Sequence, residues 1–277
     1  RNKLEKTIEK YTEKDFDNTS FIDTSICITA GLIYQGRNDK NIKEKCATFF
    51  NKLLSPKNSY IPSTHTHPFK IGFVVTKNTE NAFIRYMEGI LENISKEKFN
   101  ITIIYSSYSS KTLFDKSISN QAIKYLYISE SIPNAVQIIK NAKFDLLYYW
   151  EVGTNPTNYL LPFFKPASIQ CTSYGWAVTS GIPQMDYYLS TQALEIGNSE
   201  DYYTEKLIKF KHLPTFFYKS KLHDGELKDR SYFGLNTNDR VYLCTQNLRK
   251  IHPDFDELVR GILEKDREGK IIFVESN

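Results

Sequence analysis

Short, almost uninterrupted apolar strands alternate with helical segments through the middle of the chain. Strands are predicted at KIGFVVT (70–76), NITIIYS (100–106), IKYLYIS (123–129), DLLYYWEV (145–152), SIQCTS (168–173) and MDYYLST (185–191), and helices near 81–94, 132–142 and 155–164. Strands that are apolar on both faces are typical of a parallel sheet covered by helices on each side. The alternation therefore predicts an α/β fold, with one Rossmann-like domain over about residues 69–225.

A second strand–helix–strand unit follows this domain. Its strands are predicted at RVYLCTQ (240–246) and KIIFVES (270–276), on either side of a helix from about Pro253 to Asp266. A doubly wound sheet needs more than two strands. Residues 226–277 are therefore expected to be the start of a second Rossmann-like domain that is incomplete in this sequence.

The N-terminal region has a different pattern. Residues 1–57 are predicted to be helical, and apolar positions between Ile26 and Leu54 have spacings that suit a helical hairpin. Such a hairpin is either the end of a tetratricopeptide-like array or an ordinary cap on the next domain. The following segment SPKNSYIPSTHTHP contains three prolines, so residues 58–68 are predicted to be a linker.

Composition limits the partners of the chain. The net charge is only +4 and both signs are interleaved, which argues against a nucleic-acid-binding face. No stretch approaches the roughly 20 apolar residues that span a bilayer, and the N-terminus lacks a signal-peptide core, so a cytoplasmic location is expected.

The four cysteines are widely spaced without a CxxC pair, which favours reduced thiols over disulfides or a zinc site. GxGxxG and GxSxG motifs are absent, which argues against nicotinamide or flavin enzymes and against α/β-hydrolases.

The stretch VYLCTQNLRKI combines an apolar strand with a polar turn, at the position where open α/β sheets bind ligands. The amides of Gln246 and Asn247 suit contacts to a base or ribose, and the ammonium of Lys250 suits a phosphate. A solvated surface turn is the plain alternative. The nearby acidic pair Asp254 and Asp256 resembles a DxD metal motif, but its place after Pro253 is better explained by the preference of acidic residues for a helix N-terminus.

Two further candidates follow strands of the first domain. In GWAVTSG, the backbone amides and the hydroxyls of Thr179 and Ser180, beside Gly181, can face sugar or phosphate oxygens. The alternative is a tight turn with a buried tryptophan. Glu151 ends the strand DLLYYWEV, at the edge where a cleft is expected, although it can equally cap the next helix or pair with a cation.

Taken together, VYLCTQNLRKI, GWAVTSG and the run from Phe144 to Trp176 resemble the catalytic region of the O-GlcNAc-transferase/SPINDLY family of glycosyltransferases, in its bacterial form. The resemblance covers roughly Lys70 to the end. It departs from the family at Ala177, where proline is usual, and at Asn81, near the place where animal relatives have a histidine.

The resemblance implies a GT-B architecture of two Rossmann-like domains and an inverting, metal-independent transfer of a sugar to protein serine or threonine hydroxyls. UDP-GlcNAc is the expected donor, GDP-fucose is the alternative, and no other cofactor is implied. Lys250 would contact the donor diphosphate, with Gln246 or Asn247 at the nucleotide, and Glu151 would accept the hydroxyl proton. His65 and His67 are less suitable bases in the linker. The rival functions are a catalytically silent interaction module and another nucleotide-sugar enzyme such as an epimerase, and the 277-residue piece alone is expected to be inactive.

Overall fold

A computed structural model describes residues 2–12, 31–54, 67–129, 131–218, 225 and 227–274. The chain divides into two compact units, which are described separately: unit 1 is residues 1–33 and 37–218, and unit 2 is residues 34–36 and 219–277. The predicted domain boundary at 225/226 lies beside residues outside the described set, as do most of the predicted linker, His65 and Cys27. Within the described residues, no helix has the length and apolar character needed to cross a membrane.

Unit 1 contains a seven-stranded parallel sheet with the order β3-β2-β1-β4-β5-β6-β7. The strands are β1 (Phe69–Val75), β2 (Phe99–Tyr105), β3 (Lys124–Tyr127), β4 (Leu146–Tyr149), β5 (Ile169–Ser173), β6 (Tyr187–Thr191) and β7 (Lys206–Phe210). This is the strand order of a Rossmann-like sheet extended by one strand. The predicted α/β fold class is confirmed.

Helices cover both faces of this sheet, as the doubly apolar strands require. They are α2 (Lys40–Leu54), α3 (Glu80–Asn93), α4 (Tyr108–Ser117), α5 (Ile132–Ala142) and the short α6 (Pro156–Leu160), which continues into a 3₁₀ turn at Leu161–Phe164. Helix α1 (Asn2–Thr12) packs on α2 instead, in a smaller apolar cluster that contains Ile8, Ile42 and Cys46. On one face α3 and α4 pack over Phe73, Ile103 and Trp150. On the other face α2, α5 and α6 pack over Val74 and Leu147. The helical N-terminal segment therefore contributes directly to the core of unit 1.

Unit 2 contains the parallel pair β8 (Val241–Cys244) and β9 (Lys270–Phe273), joined through α7 (Phe255–Lys265). Charged side chains surround this pair: Arg240 donates to Asp266 at 2.5 and 2.6 Å, and Lys270 lies 2.5 Å from Asp239. None of the described residues of unit 2 is buried. The predicted strand–helix–strand order is present, with strands shorter than the sequence suggested.

Candidate active site

All seven strands are parallel, but the order in which the chain adds them to the sheet reverses between β1 and β4. The chain runs outward from β1 through β2 to β3 and then returns to the other side of β1 with β4. The loop after β1 leads to α3 on one face of the sheet, and the loop after β4 leads to α6 on the other face. In open α/β sheets this arrangement leaves a crevice at the carboxyl ends of the strands. Ligands of open α/β sheets bind at this point. The loop after β1 (residues 76–79) and the loop after β4 (residues 150–155) form the candidate site of unit 1.

Asn158 ties these two loops together. Its side chain is buried, with 1% of its surface exposed. Its amide nitrogen donates to the hydroxyl oxygens of Thr76 at 3.0 Å and Thr154 at 2.9 Å, and its carbonyl oxygen accepts the backbone N–H of Gly153 at 2.9 Å. Gly153 has a φ of 107°, a region that glycine adopts without steric cost. One side chain therefore fixes the shape of the β4 loop against the end of β1.

Asn158 was missed by the sequence reasoning. The local signal was present in the letters NPTN, because Asn155 is the residue before α6 and its side-chain oxygen accepts the backbone N–H of Thr157 at 2.8 Å, with Pro156 in the first turn. That signal predicts the helix start. It does not predict that Asn158, one turn further on, reaches across to β1.

Glu151 lies in the β4 loop and is half-buried. The structure thus places it where the sequence placed it, just beyond the carboxyl end of a strand next to the reversal of the sheet. Its role as a base stays a prediction.

The loop after β1 is joined to the loop after β2. The backbone N–H of Lys77 donates to the hydroxyl oxygen of Ser106 at 3.2 Å, and the Ser110 hydroxyl donates to the carboxylate of Glu80. Glu80 is the first residue of α3, where the helix N-terminus stabilises a negative charge, and it is also buried. Asn78 has a left-handed φ of 73°, so the exposed tip of this loop is a sharp turn.

The stretch GWAVTSG divides into two parts. Its first part is a 3₁₀ turn at Tyr174–Trp176, which packs against the β4 loop: a Cβ at Gly175 would overlap the carbonyl oxygen of Trp150. This close approach explains the need for glycine at residue 175. The turn therefore lies beside the candidate site.

The second part of the stretch, Thr179 to Gly181, is buried and bonds to the carboxylate of Glu205. The Thr179 hydroxyl donates to Glu205 at 2.6 Å, and Ser180 contacts the same carboxylate through its backbone N–H at 2.7 Å and through its hydroxyl. Gly181 has a φ of 75° and lies against the backbone of Lys43 in α2. These three residues hold the β5–β6 connection to β7 and α2, and the hydroxyls that were predicted to face a donor bond to Glu205 in this structure.

In unit 2, the predicted donor residues follow β8 directly. Gln246 is exposed and its side-chain oxygen accepts the backbone N–H of Asn247 at 2.9 Å. Lys250 ends a 3₁₀ turn at Leu248–Lys250, is exposed, and has its ammonium 5.8 Å from the ring centroid of Tyr34, a residue of the same unit. The structure therefore brings all three side chains onto one turn at the carboxyl end of a parallel strand.

The acidic pair Asp254 and Asp256 lies at the start of α7, where Asp256 is in the first turn. Asp254 lies 3.3 Å from the Nδ1 of His252. Among the residues that the structure describes, no three His, Cys, Asp or Glu side chains are grouped closely enough to hold a metal ion.

Comparison with known proteins shows the family of the chain. The profile of glycosyl transferase family 41 matches residues 42–263, most of the chain. The chain belongs to glycosyl transferase family 41. An Arabidopsis thaliana relative, named "Probable UDP-N-acetylglucosamine--peptide N-acetylglucosaminyltransferase SEC", is 23% identical over 205 residues, which cover 71% of this chain and 21% of the relative.

A solved structure shows the same fold. It is that of the Thermobaculum terrenum O-GlcNAc transferase mutant K341M, which matches with a TM-score of 0.65 at 16% identity over 87% of this chain and 46% of that chain. The resemblance inferred from the sequence is thus confirmed at the level of the family and the fold. This family-41 chain spans less than half the length of both proteins.

Proposed function

We propose that this family-41 chain is part of a glycosyltransferase that moves a sugar from a nucleotide-sugar to serine or threonine hydroxyls of a protein, with inversion at the anomeric carbon. The match over residues 42–263 is the observation that carries the proposal. The name of the Arabidopsis relative supports UDP-GlcNAc as the donor and a peptide as the acceptor. GDP-fucose is the alternative donor, and a cytoplasmic location is part of the same proposal.

The proposed roles follow from where the side chains lie. Lys250 neutralises the donor diphosphate, because an exposed ammonium on the β8 turn is free to approach an anion from solvent. Gln246 and Asn247 bind the nucleotide from the same turn. No metal is needed in this proposal, because the lysine and backbone amides stabilise the leaving diphosphate.

Glu151 accepts the proton of the attacking hydroxyl. The rigid β4 loop supports this role, since a general base has to be held within about 2.6–3.2 Å of the proton donor. For Thr179, Ser180 and Gly181 we propose an indirect role. The bonds of Thr179 and Ser180 to Glu205, and the packing of Gly181 against Lys43, fix the connection that begins at the Tyr174–Trp176 turn beside the β4 loop.

The test is a transfer assay with the full-length protein, a mixed protein acceptor, and labelled UDP-GlcNAc and GDP-fucose in parallel, with modified residues identified by mass spectrometry. We expect GlcNAc on serine or threonine, in the presence of EDTA as well as without it. Glu151→Gln should lower kcat by at least about 100-fold, whereas Glu97→Gln, which changes an exposed carboxylate of the same unit, should not.

Each outcome has a distinct meaning. Fucose transfer alone would replace the donor and keep the reaction. Loss of activity with EDTA and recovery with manganese would contradict the metal-free step and restore a role for Asp254 and Asp256. A folded protein that transfers neither sugar would contradict the proposed function and favour the silent module.

A further inference from the structure

A cavity lies at the opposite edge of the sheet of unit 1, at the amino ends of β1, β2 and β3. Its volume is about 280 Å³, and it is lined by Lys70, Asn100, Thr102 and Lys124, with Leu126 and Phe144 among its apolar walls. Since β1 is seven residues long, roughly 20 Å of strand separates this cavity from the loops after β1 and β4. None of the residues proposed for sugar transfer lines it.

The strand register explains why the four polar side chains converge. Lys70 pairs with Asn100 and Thr102 pairs with Lys124, so these side chains project from the same face of three adjacent strands. Further along the strands, the same face carries Val74, Ile104 and Ile128, which α5 covers. The four polar side chains lie just beyond the end of α5, whose last residue, Ala142, also lines the cavity.

The four polar side chains have no partners among the residues that the structure describes. In the described part of the chain, the side chains of Lys70, Asn100, Thr102 and Lys124 form no hydrogen bond or ion pair. Lys70 bonds to Asp145 through its backbone: its N–H donates to the Asp145 carboxylate at 2.8 Å, and its carbonyl oxygen accepts the Asp145 N–H at 2.9 Å. Polar groups that line a cavity are normally satisfied by a partner, by water or by a ligand. Two ammonium groups with an amide and a hydroxyl form a donor set that suits an anion.

Two features reduce the positive charge at this edge. The buried Asp145 carboxylate accepts the Lys70 N–H, and the carbonyl end of α5 points to the same side. The two lysines exceed this negative charge, so anion binding is favoured but weak. The volume is just below the roughly 300 Å³ at which pockets for drug-sized ligands begin, which limits the ligand to a small molecule.

We propose that this cavity is a second ligand site, which binds a small organic anion with a phosphate or carboxylate head and an apolar body. The head lies between Lys70 and Lys124, with the hydroxyl of Thr102 and the amide of Asn100 as further donors. The apolar body packs on Leu126 and Phe144. Because this site does not depend on the residues assigned to sugar transfer, it binds its ligand whether or not the chain transfers a sugar.

The experiment measures binding of phenyl phosphate to the full-length protein by calorimetry and by ligand-observed NMR, with inorganic phosphate and benzylamine as comparison probes. Wild type should bind phenyl phosphate more tightly than inorganic phosphate and should not bind benzylamine. Lys124→Ala should weaken binding of phenyl phosphate by roughly tenfold, and Thr102→Val, which keeps the shape, should weaken it by less.

Lys206→Ala is the matched control. Lys206 is also an exposed lysine at the first position of an edge strand, β7, but it does not line this cavity. Lys206→Ala removes the same charge as Lys124→Ala and should leave the binding of phenyl phosphate unchanged. Equal effects of Lys124→Ala and Lys206→Ala, benzylamine binding as strong as that of phenyl phosphate, or no binding by wild type would each overturn the proposal. Thermal unfolding of every variant verifies that the fold is retained.

Discussion

At the scale of single residues, the exposed lysine on the β8 turn is the position where sequence and structure agree most directly. If Lys250 neutralises a donor phosphate, Lys250→Ala in the full-length protein should weaken UDP binding by roughly tenfold or more, since a charge-assisted hydrogen bond contributes about 1.5–3 kcal/mol. The melting temperature should stay nearly unchanged because the side chain is exposed.

Lys265→Ala is the control for this change. Lys265 is another exposed lysine of unit 2, at the end of α7 and away from the turn. Titrations with UDP and with GDP separate a phosphate contact, which both nucleotides share, from a base contact. An affinity that is the same in wild type and in Lys250→Ala would refute the assignment.

The cysteines offer a second test at this scale. Burial raises the pKa of the Cys46 thiol to about 11, and burial also raises the pKa of Cys171. The thiolate is the reactive form, so roughly one Cys46 in a thousand is reactive at pH 8. Cys244, at the end of β8, is half-exposed.

We therefore expect iodoacetamide at pH 8 to label Cys244 well before Cys46 and Cys171, as measured by peptide mass spectrometry. Labelling of Cys46 should accelerate as the pH rises toward 11, because deprotonation of the thiol produces the thiolate that attacks iodoacetamide. Fast labelling of Cys46 at pH 8 in a protein that is still folded would contradict the buried environment. The sequence predicted reduced thiols, and the structure adds which of them are protected.

At the scale of elements, the connection between β5 and β6 depends on one acidic side chain from the start of the next strand. Glu205 is buried and accepts from Thr179 and from two groups of Ser180. Glu205→Ala would leave the N–H and hydroxyl of Ser180 without their acceptor and the Thr179 hydroxyl with Thr204 alone, so we expect the free energy of unfolding to fall by about 3 kcal/mol. Urea unfolding followed by fluorescence measures the change.

Glu200→Ala provides the comparison for that prediction. Glu200 is an exposed glutamate five positions earlier, paired with Lys209 on the surface. An exposed ion pair contributes little to stability, so this change should leave the urea midpoint nearly unchanged. If both substitutions shift the midpoint equally, the carboxylate of Glu205 does not hold the connection.

The same elements show how far the sequence predicts the fold. Six strands were predicted because each lies in a nearly continuous apolar run, which burial on both faces favours in the central strands β1, β2, β4 and β5. Strand β7 and helix α4 were not predicted. The β7 sequence KLIKF has lysines at its first and fourth positions and no buried position, as suits an edge strand. The α4 sequence YSSKTLFDKS has only Phe114 as a large buried side chain, so neither segment carries a strong periodic signal.

The candidate site shows the corresponding limit for side chains. Glu151, Gln246, Asn247 and Lys250 are predicted as site residues because each follows a strand, and the sequence indicates where parallel strands end. Their roles stay predictions. The bonds from Asn158 to Thr76 and from Thr179 to Glu205 join residues 82 and 26 positions apart. Pairings over such distances depend on the register of the whole sheet, which no local pattern specifies.

At the scale of the whole molecule, the two units differ in how much apolar surface they bury. Unit 1 has two large clusters of buried side chains, one on each face of its sheet. Unit 2 has no buried residue in its described part, and Leu243 in its strand β8 is 60% exposed. Burial of apolar surface is the main source of stability, and a two-stranded sheet is only marginally stable alone.

This difference predicts the order in which the 277-residue chain opens. Hydrogen exchange reports local opening, and segments with few buried contacts exchange first. We expect the amides of β8 and β9 to exchange at least about tenfold faster than those of β1 and β4 under native conditions, as measured by mass spectrometry at peptide resolution. The ion pairs of Arg240 with Asp266 and of Lys270 with Asp239, in which the cationic side chain is exposed, add too little to reverse this order. Equal protection of the β8 and β1 amides would show that unit 2 is stabilised by burial that these contacts do not account for.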